Sequence, residues 1–163
     1  MISEKMKKAL NEQLNREIYS AYLYMSMAAH STHIGLKGFA NWFDVQRGEE
    51  FSHAMKIYEY LNDQDVKVVL GEIQKPQGEF SSPLEMFEKT LEHEGKVTRW
   101  INKLVKLAMG EEDHATQIFL QWFVSEQVEE EANDREIIDR LRLVGESGAA
   151  LFMVDGQLAA RSH

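Results

Sequence analysis

Glu49-Glu50-Phe51-Ser52-His53 decides the fold, because of where it falls in its segment. Glu50 and His53 lie three residues apart, so on a helix they share one face, a turn apart. Most isolated Glu-x-x-His strings are solvated helix surface. Here the apolar stripe runs Phe39, Trp42, Phe43 and resumes at Ile57, Tyr58, Leu61. The same spacing carried across the break passes through Gln46, Glu50, His53 and Ala54. The pair is therefore predicted to point into the core from the middle of a long helix, about 36–62. A carboxylate and an imidazole so placed can share one metal ion.

The same break recurs on each side of this segment. A first helix, about 3–31, opens on a capping Ser3 and carries the stripe Leu10, Leu14, Ile18, Ala21, Met25, Ala28. Glu17 interrupts it near mid-helix, and Tyr24 lies two turns on, close to the same face. A third helix, about 83–109, starts with Ser82, Pro83 and Glu85 in a capping arrangement. Its stripe of Leu84, Phe87, Leu91, then Ile101, Leu104 or Val105, and Ala108 is broken by Glu94 and Thr98, with His93 to one side. A fourth, about 114–143, reads Thr116, Leu120, Phe123, then Ile137 or Ile138, and Leu141, with Gln127, Glu130 and Asp134 in the gap. Glu126 and Glu129 lie beside that gap. A short apolar fifth helix, about 149–160, must bury itself against a bundle end or another chain.

The connections set the topology. Residues 63–82 are long for a link within a helical domain. They contain a short β-like run, Val66-Lys67-Val68-Val69-Leu70, then Gly71, Pro76 and Gly78. A 27-residue helix is about 40 Å long, and extended chain covers up to ~3.3 Å per residue. The link can therefore run the whole length of a bundle and make the second and third helices parallel. Glu111, Glu112 and Asp113 mark a short turn into an antiparallel fourth helix. The expectation is one all-α domain over 1–163.

Four helices of similar length bring their midpoints to one level, so Glu17, Glu50 with His53, Glu94, and Glu130 with Gln127 should converge. Four bare carboxylates in an apolar interior would cost several kcal/mol each; two divalent cations would balance them. Oxygen-rich ligation with one imidazole suits iron, manganese or zinc. Composition agrees. The 163 residues have a net charge of −9, which suits cations and disfavours nucleic acid as partner. No cysteine is present, which excludes disulfides, iron–sulfur clusters and thiolate zinc sites. The start reads as a charged helix rather than a signal peptide, and no long apolar run suggests a membrane. A cytoplasmic protein is expected.

Along nearly its whole length the chain resembles the bacterial and archaeal non-haem ferritins. The strings that carry the resemblance are Leu14-Asn15-Arg16-Glu17-Ile18-Tyr19-Ser20, Glu49-Glu50-Phe51-Ser52-His53-Ala54, His93-Glu94, and Phe119 through Glu131. It implies a ferritin-like four-helix bundle with one long crossover and a short fifth helix. It implies that Glu17, Glu50 and His53 hold one iron and Glu50, Glu94 and Glu130 a second, with Gln127 and Tyr24 in hydrogen-bond reach. Glu49, Glu126, Glu129 and Glu130 match a third iron site. The activity implied is oxidation of Fe²⁺ by O₂ or peroxide, with storage of a ferric mineral in a shell of twenty-four identical subunits. No haem is expected, because Ser52 stands where bacterioferritins carry the haem-binding methionine. The acidic turn at 111–113 is read either as a helix cap or as the lining of an iron uptake path at a symmetry axis. A scaffold with a silent metal site is the alternative. A DNA-protecting mini-ferritin is disfavoured by the fifth helix and the lack of a basic tail.

Overall fold

The computed structural model describes residues 2–162. Five helices account for most of the chain: α1 (Glu4–His33), α2 (Lys37–Asp63), α3 (Pro83–Gly110), α4 (His114–Val144) and α5 (Gly148–Leu158). No strand occurs among the described residues. Ser3, Ser82, Asp113 and Ser147 each accept a backbone N–H with the side chain; the first two are the caps expected from sequence, Asp113 fits one of the two readings of its turn, and Ser147 was not anticipated. Glu85 completes the α3 cap by accepting from the Ser81 N–H.

The run at 66–70 pairs with side chains instead of a strand. Asn11 and Asn15, one turn apart on α1, act as a short ladder. Asn11 Oδ1 accepts from Val69 N at 2.6 Å and Asn15 Oδ1 from Gly71 N at 2.7 Å. Asn15 Nδ2 donates back to Val69 O at 3.1 Å. Further along, Ser26 donates to Gln77 O and His30 meets Phe80 edge-on. The crossover thus runs beside α1 from its first turns to its last. It delivers α3 antiparallel to α1 and parallel to α2. The partners fix that direction: Ser31 meets Met86, Ser20 meets His93, and Ser3 meets Glu111.

The core is split in two. One cluster gathers Met27, Phe39, Phe43, Phe87 and Leu141 towards the α5 end. The other gathers Met6, Leu10, Ile57, Ile101 and Leu120 at the opposite end. A layer of buried polar groups lies between them. Two stripe residues depart from expectation: Met25 and Tyr58 are exposed. The buried face of α1 passes instead through Gln13, Glu17, Ser20, Tyr24 and Met27. The inward positions there are polar as well as apolar, so apolar residues alone tilt the inferred stripe.

Helix α5 packs across the bundle end, against α2 and α4. Helix α2 has no side-chain cap of its own, and Asp155 of α5 supplies one by accepting from Phe39 N at 3.0 Å. The backbones approach so closely that a Cβ on Gly38 would lie 1.7 Å from Asp155 O. Backbone cannot yield as a flexible side chain does. Gly38→Ala is expected to displace α5, cost about 1–3 kcal/mol and leave the four long helices folded. Thermal unfolding, with proteolysis of the 145–163 tail, measures this; parent-like protection of the tail in the variant would contradict it. Gly95 is the opposite case. Its added Cβ would meet only the flexible Arg99 side chain at 3.6 Å. Close packing does not explain this glycine, and Gly95→Ala is expected to stabilise by roughly 0.5–1 kcal/mol through helix propensity. A denaturant midpoint that falls would show a constraint at this position.

Candidate metal centre

Each long helix contributes to the polar layer from its middle, where its apolar stripe is interrupted. Glu17, Glu50 and Glu94 are each 1% exposed, Glu130 4% and His53 5%. Ligand atoms of Glu17, Glu50 and His53 lie within 4.8 Å of one another, close enough for one ion. His53 Nδ1 is 3.5 Å from Glu50 Oε2. A second group at the same limit joins His53 to Glu126 and Glu130. That grouping crosses the sets the resemblance implies, in which His53 belongs to the first position and Glu126 to the third.

Amides and a phenol hold Glu17, Glu50, Glu130 and Glu94 in place. Tyr24 donates its hydroxyl to Glu94 Oε1. Gln127 Nε2 donates to Glu94 Oε2 at 3.0 Å. Gln46 Nε2 bridges two helices, donating to Glu50 Oε1 at 3.2 Å and to Glu130 Oε2 at 2.8 Å. Gln13 Nε2 donates to Glu17 Oε1 at 2.6 Å, while Glu17 Oε2 is buried with no partner. A buried carboxylate oxygen with no protein partner is free to carry a proton or to bind a cation.

Burial and mutual repulsion push these groups up. Glu17 rises to about 8, first through burial, then through Glu50. Glu94 rises to about 6 and Glu130 to about 7, in both cases mainly by burial. Glu50 lies well above the usual carboxylate range for the same reason, with Glu94 and Glu130 adding to it. In the metal-free protein the layer therefore keeps several protons. Cations of charge two would displace them.

The two other residues expected at a third site are not gathered into these groups. Glu49 pairs with Arg161 of the C-terminal tail, Oε2 to Nη2 at 2.5 Å. Glu129 is exposed on α4. At the 111–113 turn each group has a structural task or stands in solvent. Asp113 Oδ1 caps α4 through Thr116 N at 3.1 Å, Glu111 accepts from Ser3 Oγ at 2.7 Å, and Glu112 is exposed with φ 55°. Ser52 is spent on the helix itself, donating to Gly48 O.

Three further groups belong to the layer beyond the residues expected from sequence. Gln46 and Gln13 are glutamines on the inward stripe one turn before a ligand, and that spacing was the available signal. Asp134, one turn after Glu130, is 1% exposed with Oδ2 unpartnered, and burial raises it to about 9. His93 was placed to one side of the site. It is buried, 2.7 Å from Ser20 Oγ, with its ring edge-on to Tyr24, and burial lowers it to about 4.

Comparison with known proteins follows the same lines. A family model described as a ferritin-like domain matches residues 7–144. The bacterial non-heme ferritin of Campylobacter jejuni is 44% identical over 155 residues, covering 95% of this chain and 93% of that protein. One from Staphylococcus epidermidis is 43% identical over 162 residues, covering 99% and 98%. Among solved structures, an open pore ferritin from the hyperthermophilic archaeon Archaeoglobus fulgidus superposes with a TM-score of 0.98 at 51% identity, covering 99% of this chain and 100% of that one.

Proposed function

The chain belongs to the ferritin family, and from that premise we propose that it stores iron, oxidising Fe²⁺ at the buried carboxylate layer before depositing it. The observation that carries this reading is the cluster of Glu17, Glu50 and His53, buried in an apolar bundle with a carboxylate oxygen left unpartnered. Iron is the substrate here. Glu17, Glu50 and His53 are assigned to one ion, and Glu50, Glu94 and Glu130 to the second, so that Glu50 is shared. Two Fe²⁺ ions each give one electron to O₂, which takes up two protons and leaves as hydrogen peroxide; peroxide itself can serve as oxidant.

The chain's own groups prepare and clear that site. Glu17, Glu94 and Glu130 lose protons as cations arrive, so binding is favoured by rising pH. Tyr24 and Gln127 fix Glu94, and Gln46 ties Glu50 to Glu130, so the carboxylates need little reorganisation. Glu126, with Glu49 and Glu129, is assigned to a third position through which Fe³⁺ leaves. Haem has no part in this reading.

Storage needs an enclosure, and the proposal extends to a homo-oligomeric shell, twenty-four copies being the family's form. In support, α5 leaves Phe152 and Met153 exposed at the bundle end, with Leu143 exposed nearby at the end of α4. A lone subunit would present that apolar surface to water. No helix among the described residues is long and apolar enough to cross a membrane, and the proposed setting is the cytoplasm. The 1–163 chain is taken as one ferritin-like domain.

Light scattering, followed by anaerobic Fe²⁺ titration and admission of air, tests the proposal. The expected result is a large particle, two tightly bound Fe²⁺ per chain, and rapid oxidation ending in a soluble amber mineral. A particle that binds no Fe²⁺ would establish the silent scaffold instead.

A further inference from the structure

The tail beyond α5 returns to the metal centre. Asn41 Nδ2 donates to Leu158 O at 3.2 Å and Arg161 O at 2.9 Å, which fixes the tail against the first turns of α2. From there the Arg161 guanidinium lies over the Trp42 ring, 4.4 Å from its centroid. Its Nη2 donates to Gln46 Oε1 at 2.8 Å and to Glu49 Oε2 at 2.5 Å. Glu49 is a carboxylate assigned to the third metal position, and Gln46 is the amide that ties Glu50 to Glu130. One side chain of the tail thus reaches both.

We propose that Arg161 is a tethered cation that competes with the third metal ion for Glu49. The inference rests on the metal-site reading above. A guanidinium already satisfies Glu49 with a charge-assisted hydrogen bond. A divalent ion at the same carboxylate would bring two further positive charges against it. The ion therefore binds Glu49 only as Arg161 leaves, so filling of the third position is linked to release of the tail. Gln46 holds Glu50 and Glu130 through Nε2 and Arg161 through Oε1, so the atom that ties those two carboxylates is not the one Arg161 occupies. The competition consequently falls on the third ion and not on the first two. Its effect is to keep the way out of the dinuclear site weakly occupied until the dinuclear site itself is full.

Redox-silent Zn²⁺ titrated into the assembled apoprotein, followed by calorimetry, separates the steps. The parent is expected to take two equivalents tightly and a third weakly. In Arg161→Gln the third should tighten on the order of tenfold, the scale set by removing one unit charge a few ångströms away in a partly hydrated site. The first two should remain within about twofold. Arg161→Lys keeps the charge and should retain the weak third step. Light scattering shows whether each variant assembles. A variant that fails to assemble is replaced by Asn41→Ala, which frees the tail at Leu158 O and Arg161 O and should likewise tighten the third step, an unchanged third step overturning the inference. An unchanged third step in Arg161→Gln, or equal tightening in Arg161→Gln and Arg161→Lys, overturns the inference while the dinuclear site stands. Absence of the first two equivalents in the parent overturns the metal-site reading, and the inference with it.

Discussion

Replacing Glu50 and His53 together by alanine is expected to lower the initial rate of Fe²⁺ oxidation by about 100-fold or more while the bundle still folds. The scale follows from what single supporting groups cost at metal sites, about 10–100-fold; here two ligand groups go at once. Glu50 is the shared carboxylate of both assigned positions, and His53 belongs to both groups of ligand atoms that lie within 4.8 Å. The fold survives because two effects oppose. Loss of the His53 ring leaves a gap beside Trp122 and Phe123, whose rings it meets edge-on at 5.2 and 6.2 Å. Loss of Glu50 removes a buried carboxyl repelled by Glu94 and Glu130. Circular dichroism should match the parent, and stopped-flow mixing of two Fe²⁺ per chain with air-saturated buffer gives the rate. A variant that oxidises iron as fast as the parent would place the chemistry elsewhere in the molecule.

Residues whose side chains follow backbone periodicity were the readable ones. Glu17, Glu50, His53, Glu94 and Glu130 each interrupt an apolar stripe near mid-helix, and helices of equal length leave those interruptions one common level. The crossover was readable from length alone, because about 20 residues can span a helix of about 40 Å. What it pairs with was not. Asn11 and Asn15 look like ordinary exposed polar residues on α1, yet they receive the run at 67–71 as a strand edge would. Nothing in local pattern says which loop a side-chain amide will meet.

The same limit hid Gly38 and Arg161. Gly38 stands in the first turn of α2 without any local need for glycine, and the reason is a backbone 117 positions later, at Asp155. Arg161 lies just past the last helical turn, in a stretch with no periodicity, and its partners Trp42, Gln46 and Glu49 are far away in sequence. Helical spacing reports which face a residue occupies. It does not report what a distant tail lays across that face. The third-site residues were inferred by resemblance, and resemblance carried no information about the cation that accompanies Glu49 here.

The metal-free protein is expected to lose stability steadily as pH rises from about 5 to about 9, the reverse of what paired surface carboxylates produce. Glu17, Glu94, Glu130 and Asp134 are raised to about 8, 6, 7 and 9 by burial. In the unfolded chain the same groups ionise near 4. Between those limits the folded state holds protons that the unfolded state has released, so folding is favoured by acid and weakened by base. Each group's contribution is complete below the unfolded value and disappears as pH passes the folded value. His93 works in the other direction: burial lowers it to about 4, so its contribution is lost as pH falls below about 6.5. It is one group against these four and Glu50, which burial also raises, and it acts only at the acid end of the range. Asp134 isolates the effect, because no metal position is assigned to it. Asp134→Asn keeps the shape without the proton, and its stability relative to the parent should climb with pH by at most about 1.4 kcal/mol per unit between about 4 and 9. Denaturant unfolding of chelator-treated parent and variant across that range gives the slope as a difference, in which assembly terms common to both cancel. Divalent metal should flatten the parent's curve, since ions then balance Glu17, Glu94 and Glu130 in place of protons. Parallel curves for the parent and Asp134→Asn would mean that this carboxyl is ionised and solvated inside the bundle.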